Sequence, residues 1–179
     1  MKNNQVAYVA GGIAIAAALI AGTFFYLNST QPMLPYGNPA YGLSFEYPES
    51  YQLGEAEVGG RHVITLVDKA FLAASTTASE GPTSISVEIF PNTRNLTPSE
   101  WVKATPASNF VLSPDGTLAS STQAGKEAVA YLWDGLYRGE SYVFSQRESI
   151  YMFSVTYMDT DDRIRRDFVR LLKSVQFTE

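Results

Sequence analysis

Cysteine is absent from the 179 residues, and histidine occurs once, at His62. The first absence excludes disulfides, thiol nucleophiles, thiolate metal sites and a lipid-modified cysteine anchor. The second leaves too few soft ligands for a transition-metal site. It also makes any Ser-His-Asp triad depend on His62 alone, and no Gly-x-Ser-x-Gly elbow exists to present a serine. Charge is missing from one stretch in particular: residues 6–27, VAYVAGGIAIAAALIAGTFFYL, hold no Asp, Glu, Lys or Arg. After that stretch come 12 of the 13 Lys and Arg and all 18 Asp and Glu, a net charge of −6. This acidic balance speaks against nucleic acid, whose phosphates demand clustered cations.

The uncharged run has 22 residues. As a helix rising about 1.5 Å per residue it would extend roughly 33 Å, enough for a hydrocarbon core of about 30 Å. Residues 1–5 precede it and carry Lys2 but no acid, so the positive-inside rule puts them in the cytoplasm and the rest of the chain outside. A cleaved signal peptide is the competing reading. Its apolar region normally spans about 7–15 residues before a small-x-small site. Here Ala14-Ile15-Ala16 fits that pattern only in mid-run, and the run ends in Phe24-Phe25-Tyr26, which suits an interfacial aromatic belt. The expectation is an uncleaved single-pass anchor in the cell membrane, with a cleaved, secreted protein as the alternative.

Residues 28–40 hold Pro32, Pro35 and Pro39 and are read as a semi-stiff tether. Even fully extended it reaches no more than about 45 Å. Residues 41–179 suit one domain with one core.

Within that domain, alternation marks strands. Leu43, Phe45 and Tyr47 alternate with Ser44 and Glu46 up to Pro48. Residues 51–58 and 62–68 form a hairpin around Gly59-Gly60, with Phe71 and Leu72 as an extension of its second strand. Residues 83–90 alternate Ile85, Val87 and Ile89 with Ser84, Ser86 and Glu88. Residues 127–133, 136–146 and 149–157 make three strands in series, turning at Asp134-Gly135 and at Gln146-Arg147-Glu148. The last of them is apolar on both faces, as a central strand would be.

Two helices stand out. Thr97-Pro98-Ser99-Glu100 has the form of a capping box with proline at the first helical position, and Pro106 ends the short helix it starts. Residues 109–118 are read as a loop with Phe110 and Leu112 turned inward. At the end of the chain, Thr160 is read as a cap, with Asp161 and Asp162 at the positive helix terminus. Ile164, Phe168, Leu171, Leu172 and Val175 then form one apolar face.

The opposite face of this final helix is the candidate docking site. Arg163, Arg166, Arg170 and Lys173 are spaced 3, 4 and 3 apart and make one stripe, and with Arg165 the helix holds 5 of the 12 cations. It is read either as a solvated face or as a docking stripe for acidic partners or anionic lipid.

The remaining groups have structural readings. His62 is a packing or exposed residue before it is a base. Glu55 and Glu57 share a strand face, whereas a hydrolytic carboxylate pair needs a cleft between separate elements. Asp159, Asp161 and Asp162 offer oxygens to a hard cation but lack EF-hand spacing, and helix capping accounts for them. Gly59-Gly60-Arg61 is a turn before it is an anion cradle. No cofactor or metal is expected.

The strings Gly42-Leu43-Ser44-Phe45-Glu46-Tyr47-Pro48, Gly125 with Ala128, and Ser174-Val175-Gln176-Phe177 resemble the Mog1/PsbP-like superfamily over residues 41–177. Members have an early Gly-x-Ser-Phe-x-Tyr-Pro strand, a Gly-x-x-Ala before a central strand, and a final helix running into Ser-hydrophobic-x-Phe. Many have a tryptophan soon after the Tyr-Pro, where this chain has Tyr51. The resemblance implies an antiparallel sheet sandwiched by helices, and a non-enzymatic role in assembling, stabilising or regulating larger complexes. The photosynthetic member binds a photosystem and the nuclear one a small GTPase. Neither surface matches this chain residue by residue, so neither partner transfers.

The expectation is therefore an α+β domain, an antiparallel sheet flanked by helices, hung outside the cell on one transmembrane helix. It would serve as a binding or assembly module for a membrane-associated protein partner. An extracytoplasmic enzyme with a carboxylate cleft is the runner-up.

Overall fold

A computed structural model describes residues 31–74 and 81–178. The run at residues 6–27, and with it the expected anchor, lies outside the described residues. Among those described, no helix is long and apolar enough to cross a membrane. The chain divides into two compact units, Met1–Met33 and Leu34–Glu179. The described elements belong to the second, save that the first strand begins at Met33.

Three strands, β1 (Met33–Asn38), β2 (Leu43–Pro48) and β10 (Gln176–Phe177), form a small sheet in the order β1-β2-β10. The others are β3 (Tyr51–Val58), β4 (Arg61–Asp68), β5 (Ile85–Pro91), β6 (Ala119–Gln123), β7 (Lys126–Asp134), β8 (Arg138–Gln146) and β9 (Ser149–Tyr157). They form a seven-stranded antiparallel sheet in the order β3-β4-β5-β9-β8-β7-β6. The helices are α1 (Lys69–Ala74), α2 (Pro98–Ala104) and α3 (Arg163–Ser174), and two 3-10 turns, Pro106–Ser108 and Phe110–Leu112, follow α2.

The large sheet buries both faces because β9, its middle strand, is apolar on both. Tyr151, Phe153, Val155 and Tyr157 join Ile64, Leu66, Ile85, Val87 and Phe144 under β2 and α3, whose Phe168 and Leu171 are fully buried. Ile150 and Met152 face the other way and meet Val143, Tyr131, Phe90 and α2, which contributes Trp101 and Val102. The period of two along a strand makes this division, since successive side chains leave opposite faces.

Local chemistry places the elements. Thr97 Oγ1 accepts from the Glu100 N–H while Glu100 accepts from the Thr97 N–H, so the capping box is complete. Gly59 and Gly60 both have positive φ, as a two-residue hairpin turn between Val58 and Arg61 requires. Gly42 has a φ of +60°, and its carbonyl accepts the Thr178 N–H at 2.8 Å. A Cβ there would sit 2.9 Å from the Thr178 carbonyl oxygen, so the glycine of the Gly-x-Ser-Phe string lets the end of β10 close onto β2.

Several expectations are corrected. Residues 33–38 are not tether but β1, and Tyr36 stacks on Phe45 at 4.7 Å. Pro35 is tolerated because β1 is an edge strand, where a missing N–H need cost no ladder bond. Phe71 and Leu72 do not extend β4. Asp68 accepts the Ala70 N–H at 2.8 Å and turns the chain into α1, where Ala and Leu favour helix. Leu112 is exposed rather than tucked inward, while Phe110 packs edge-on against Tyr131. Residues 119–123, unassigned by the periodicity, form edge strand β6. Ala124 and Gly125, both with positive φ, turn it into β7. Finally, Thr160 does not cap α3. Asp162 occupies that place, and its carboxylate turns back to accept the Met158 and Asp159 N–H groups.

Candidate docking surface

The structure divides the four cations expected to act as one stripe. Arg163 is committed to the fold: Nη2 donates to Ser50 Oγ at 2.8 Å and Asp68 Oδ2 at 2.9 Å, and Nε donates to Asp167 Oδ2 at 3.2 Å. It staples the start of α3 to the strand ends beside it. Arg166 is exposed, and Nη1 donates to the Asp161 carbonyl at 2.7 Å. Arg170 is partly exposed, with Nη1 3.8 Å from Asp167 Oδ1, and Lys173 is exposed. Arg165, off the stripe, donates to Glu140 at 2.9 Å and lies over the Tyr157 ring at 4.6 Å. The outward positive charge of α3 is thus carried by Arg166, Arg170 and Lys173.

The group behind this face is Asp167, a buried carboxylate that the cation pattern concealed. Its side chain accepts the Tyr51 hydroxyl at 3.1 Å together with Arg163. The signal was an acid set four residues after one arginine and three before another, where helical side chains meet. Burial, then the charge of Asp167, push the Tyr51 phenol up. Burial acts to lower the Arg163 guanidinium, but Asp167, Tyr51 and Asp68 outweigh it and hold it above its ordinary value.

His62 anchors a second polar cluster. Nδ1 lies 2.7 Å from Glu57 Oε1 and Nε2 lies 2.9 Å from Glu55 Oε2. Tyr41 stacks on the ring at 4.7 Å and donates to Glu57, while Tyr36 donates to Glu55. The two carboxylates bracket the imidazole from opposite nitrogens rather than facing each other across a gap. What the arrangement does is pin the β1–β2 hairpin to the β3–β4 hairpin. Sequence spacing showed Glu55 and Glu57 on one face. It did not show that the Gly59-Gly60 turn brings His62 between them.

Gly59-Gly60-Arg61 is the turn itself, with Arg61 Nε 2.6 Å from Glu88 Oε2. In the 159–162 loop, Asp162 is occupied by backbone N–H groups. Among the described residues, no group of three or more His, Asp or Glu is arranged to hold a metal ion.

No family model and no curated protein matches the chain. The fold is similar to the solution structure of the cyanobacterial PsbP (CyanoP) from Synechocystis sp. PCC 6803. That similarity has a TM-score of 0.57 at 13% identity and covers 84% of this chain and 95% of that one. It is also similar to a crystal structure from Bacteroides thetaiotaomicron VPI-5482, at a TM-score of 0.52 and 7% identity, over 84% of this chain and 50% of that one. The chain has the PsbP-like fold.

Proposed function

We propose that this PsbP-like domain is a membrane-anchored, extracytoplasmic docking module without catalytic function, and that it binds an acidic protein surface through Arg166, Arg170 and Lys173 on α3. The observation that carries the reading is the division of labour along the helix. Arg163 and Arg165 are held by Asp68, Asp167 and Glu140, while Arg166 and Lys173 are exposed on the outer face of α3, with the half-exposed Arg170 between them, itself 3.8 Å from Asp167. The PsbP-like fold supports an assembly role, as the family resemblance implies. The uncharged run at residues 6–27 supports the anchor, and the short connection from it to the domain keeps the docking face near the membrane surface.

The test is removal of the exposed outer-face charge, Arg166→Glu with Lys173→Gln, both exposed residues, in the full chain, followed by crosslinking in native membranes. Exposed substitutions away from caps change stability by no more than about 0.5 kcal/mol, so the fold should persist. Crosslinked partners should be lost at low salt, and the wild-type signal should fall as salt rises, because screening at 0.15 M already acts over about 8 Å. Unchanged crosslinks at low salt would mean that the face is merely solvated. Arg163→Glu is no substitute, since it would set a third carboxylate beside Asp68 and Asp167 and disturb the fold.

A further inference from the structure

Of the nine large apolar side chains exposed among the described residues, five, Phe71, Leu72, Leu112, Leu136 and Met158, lie at one end of the large sheet; Val58, Val111, Leu132 and Val169 do not join them. The register brings together the start of β3, the end of β4, the start of β5, the end of β9 and the β7–β8 turn: Tyr51 pairs with Asp68, Leu66 with Ile85, Ile85 with Val155, and Arg138 with both Tyr157 and Asp134. At this end α1, directly after β4, buries none of its residues and exposes Phe71 and Leu72. Met158, one residue past β9, is 62% exposed, and Leu136 in the β7–β8 turn is 69% exposed. Leu112, also exposed, stands beside that turn: its Cδ1 would lie 3.5 Å from a Cβ at Gly135. With strands about 4.8 Å apart, the row from α1 to Leu136 runs roughly 20 Å. Exposed apolar side chains collected at one end of a domain are the kind of feature that marks a contact surface.

The chain enters the domain at the same end. β1 and β2 are hydrogen-bonded neighbours joined by only four residues, which requires them to be antiparallel. Leu34 is therefore near the Pro48 end of β2. Two residues later β3 begins, and there Ser50 accepts the N–H of Lys69, the first residue of α1. Residues 28–33, six in number, separate the apolar run from Leu34. Their maximum reach is about 20 Å.

We infer that this end of the domain rests on the bilayer, with Phe71, Leu72, Met158 and Leu136 at the boundary between headgroups and acyl chains. The inference rests on the anchored reading above. Charge at this end is mixed, with Lys69, Arg138 and Arg163 set against Asp68, Asp134, Asp159 and Asp161, so the contact is apolar and does not require anionic lipid. It is the manner in which an amphipathic surface seats itself in an interface.

The absence of native cysteine makes single-site labelling clean. The full chain, reconstituted in phosphatidylcholine vesicles, would carry an environment-sensitive fluorophore at Leu72→Cys, at Leu136→Cys, or at Val58→Cys in the turn at the far end of the sheet. At Leu72 and Leu136, emission should shift to the blue and be quenched several-fold more by nitroxide-bearing lipid than by an aqueous quencher. At Val58 the order should reverse. If all three sites answer only to the aqueous quencher while the protein resists alkaline carbonate extraction, the anchored reading stands and this inference falls. A blue shift without lipid quenching would place a second copy on the surface and overturn it as well. Release of the wild-type chain by carbonate would remove the anchor and the inference together.

Discussion

Phe168→Ala should lower the stability of the domain by about 3–5 kcal/mol, the usual cost of truncating a large buried aromatic side chain. Phe168 has no exposed surface, lies 5.9 Å from the Tyr142 ring, and is the residue by which α3 closes the face formed by Phe153, Val155 and Ile64. α3 spans 12 residues, too few to hold its shape in water unaided, so its helicity depends on this packing. A domain stable by about 5–15 kcal/mol would lose a large share of its margin. Urea denaturation of residues 31–179 would measure the change. The fragment must begin there and not at Tyr41, because Tyr36 and Phe45 stack and Tyr36 also binds Glu55. A loss below about 1 kcal/mol would mean that α3 does not use this face.

Gly42→Val should cost about 3 kcal/mol. Left-handed backbone charges an L-residue roughly 1–2 kcal/mol, and more when it is β-branched. Forcing extra atoms against backbone adds about 1–3 kcal/mol. Here the neighbour is backbone, the carbonyl oxygen of Thr178, a residue whose N–H is tied to the Gly42 carbonyl, so it gives way less readily than a flexible side chain would. For a domain of this size the shift in Tm would be about 6–12 °C. Gly37→Ala, in open space and without positive φ, is the control and should change little. Equal melting of the two variants would show that the end of β10 does not depend on closure at Gly42.

Alternation and turn chemistry were enough to place most strands and α2, because those elements are half-buried and announce which half. β9 was legible as central from its two apolar faces. β6, read ASSTQ, has no such contrast: it lies at the sheet edge, its residues are all at least partly exposed, and its pairing is set by the positive φ of Ala124 and Gly125. β1 was hidden by Pro35 and by Pro32 and Pro39 on either side of it, whose tether signal outweighed one tyrosine that finds Phe45 only in three dimensions. α1 was hidden because its cue is a cap, Asp68, at the end of a convincing strand.

The site was legible in part. Helical periodicity placed Arg166, Arg170 and Lys173 on one outward face. It also placed Arg163 there, and only the fold brings Ser50 and Asp68 within reach to withdraw it from that set. The bracketing of His62 depends on hairpin register, which two glycines determine but which spacing along the chain does not display.

Everything proposed about where the domain works follows from residues 6–27 remaining attached. Mass spectrometry of the mature protein, recovered from fractionated cells, tests that most directly. The account predicts membrane-fraction protein that retains residues upstream of Tyr26. Protein in the soluble fraction, with a new amino terminus between Ala16 and Ser29, would contradict it.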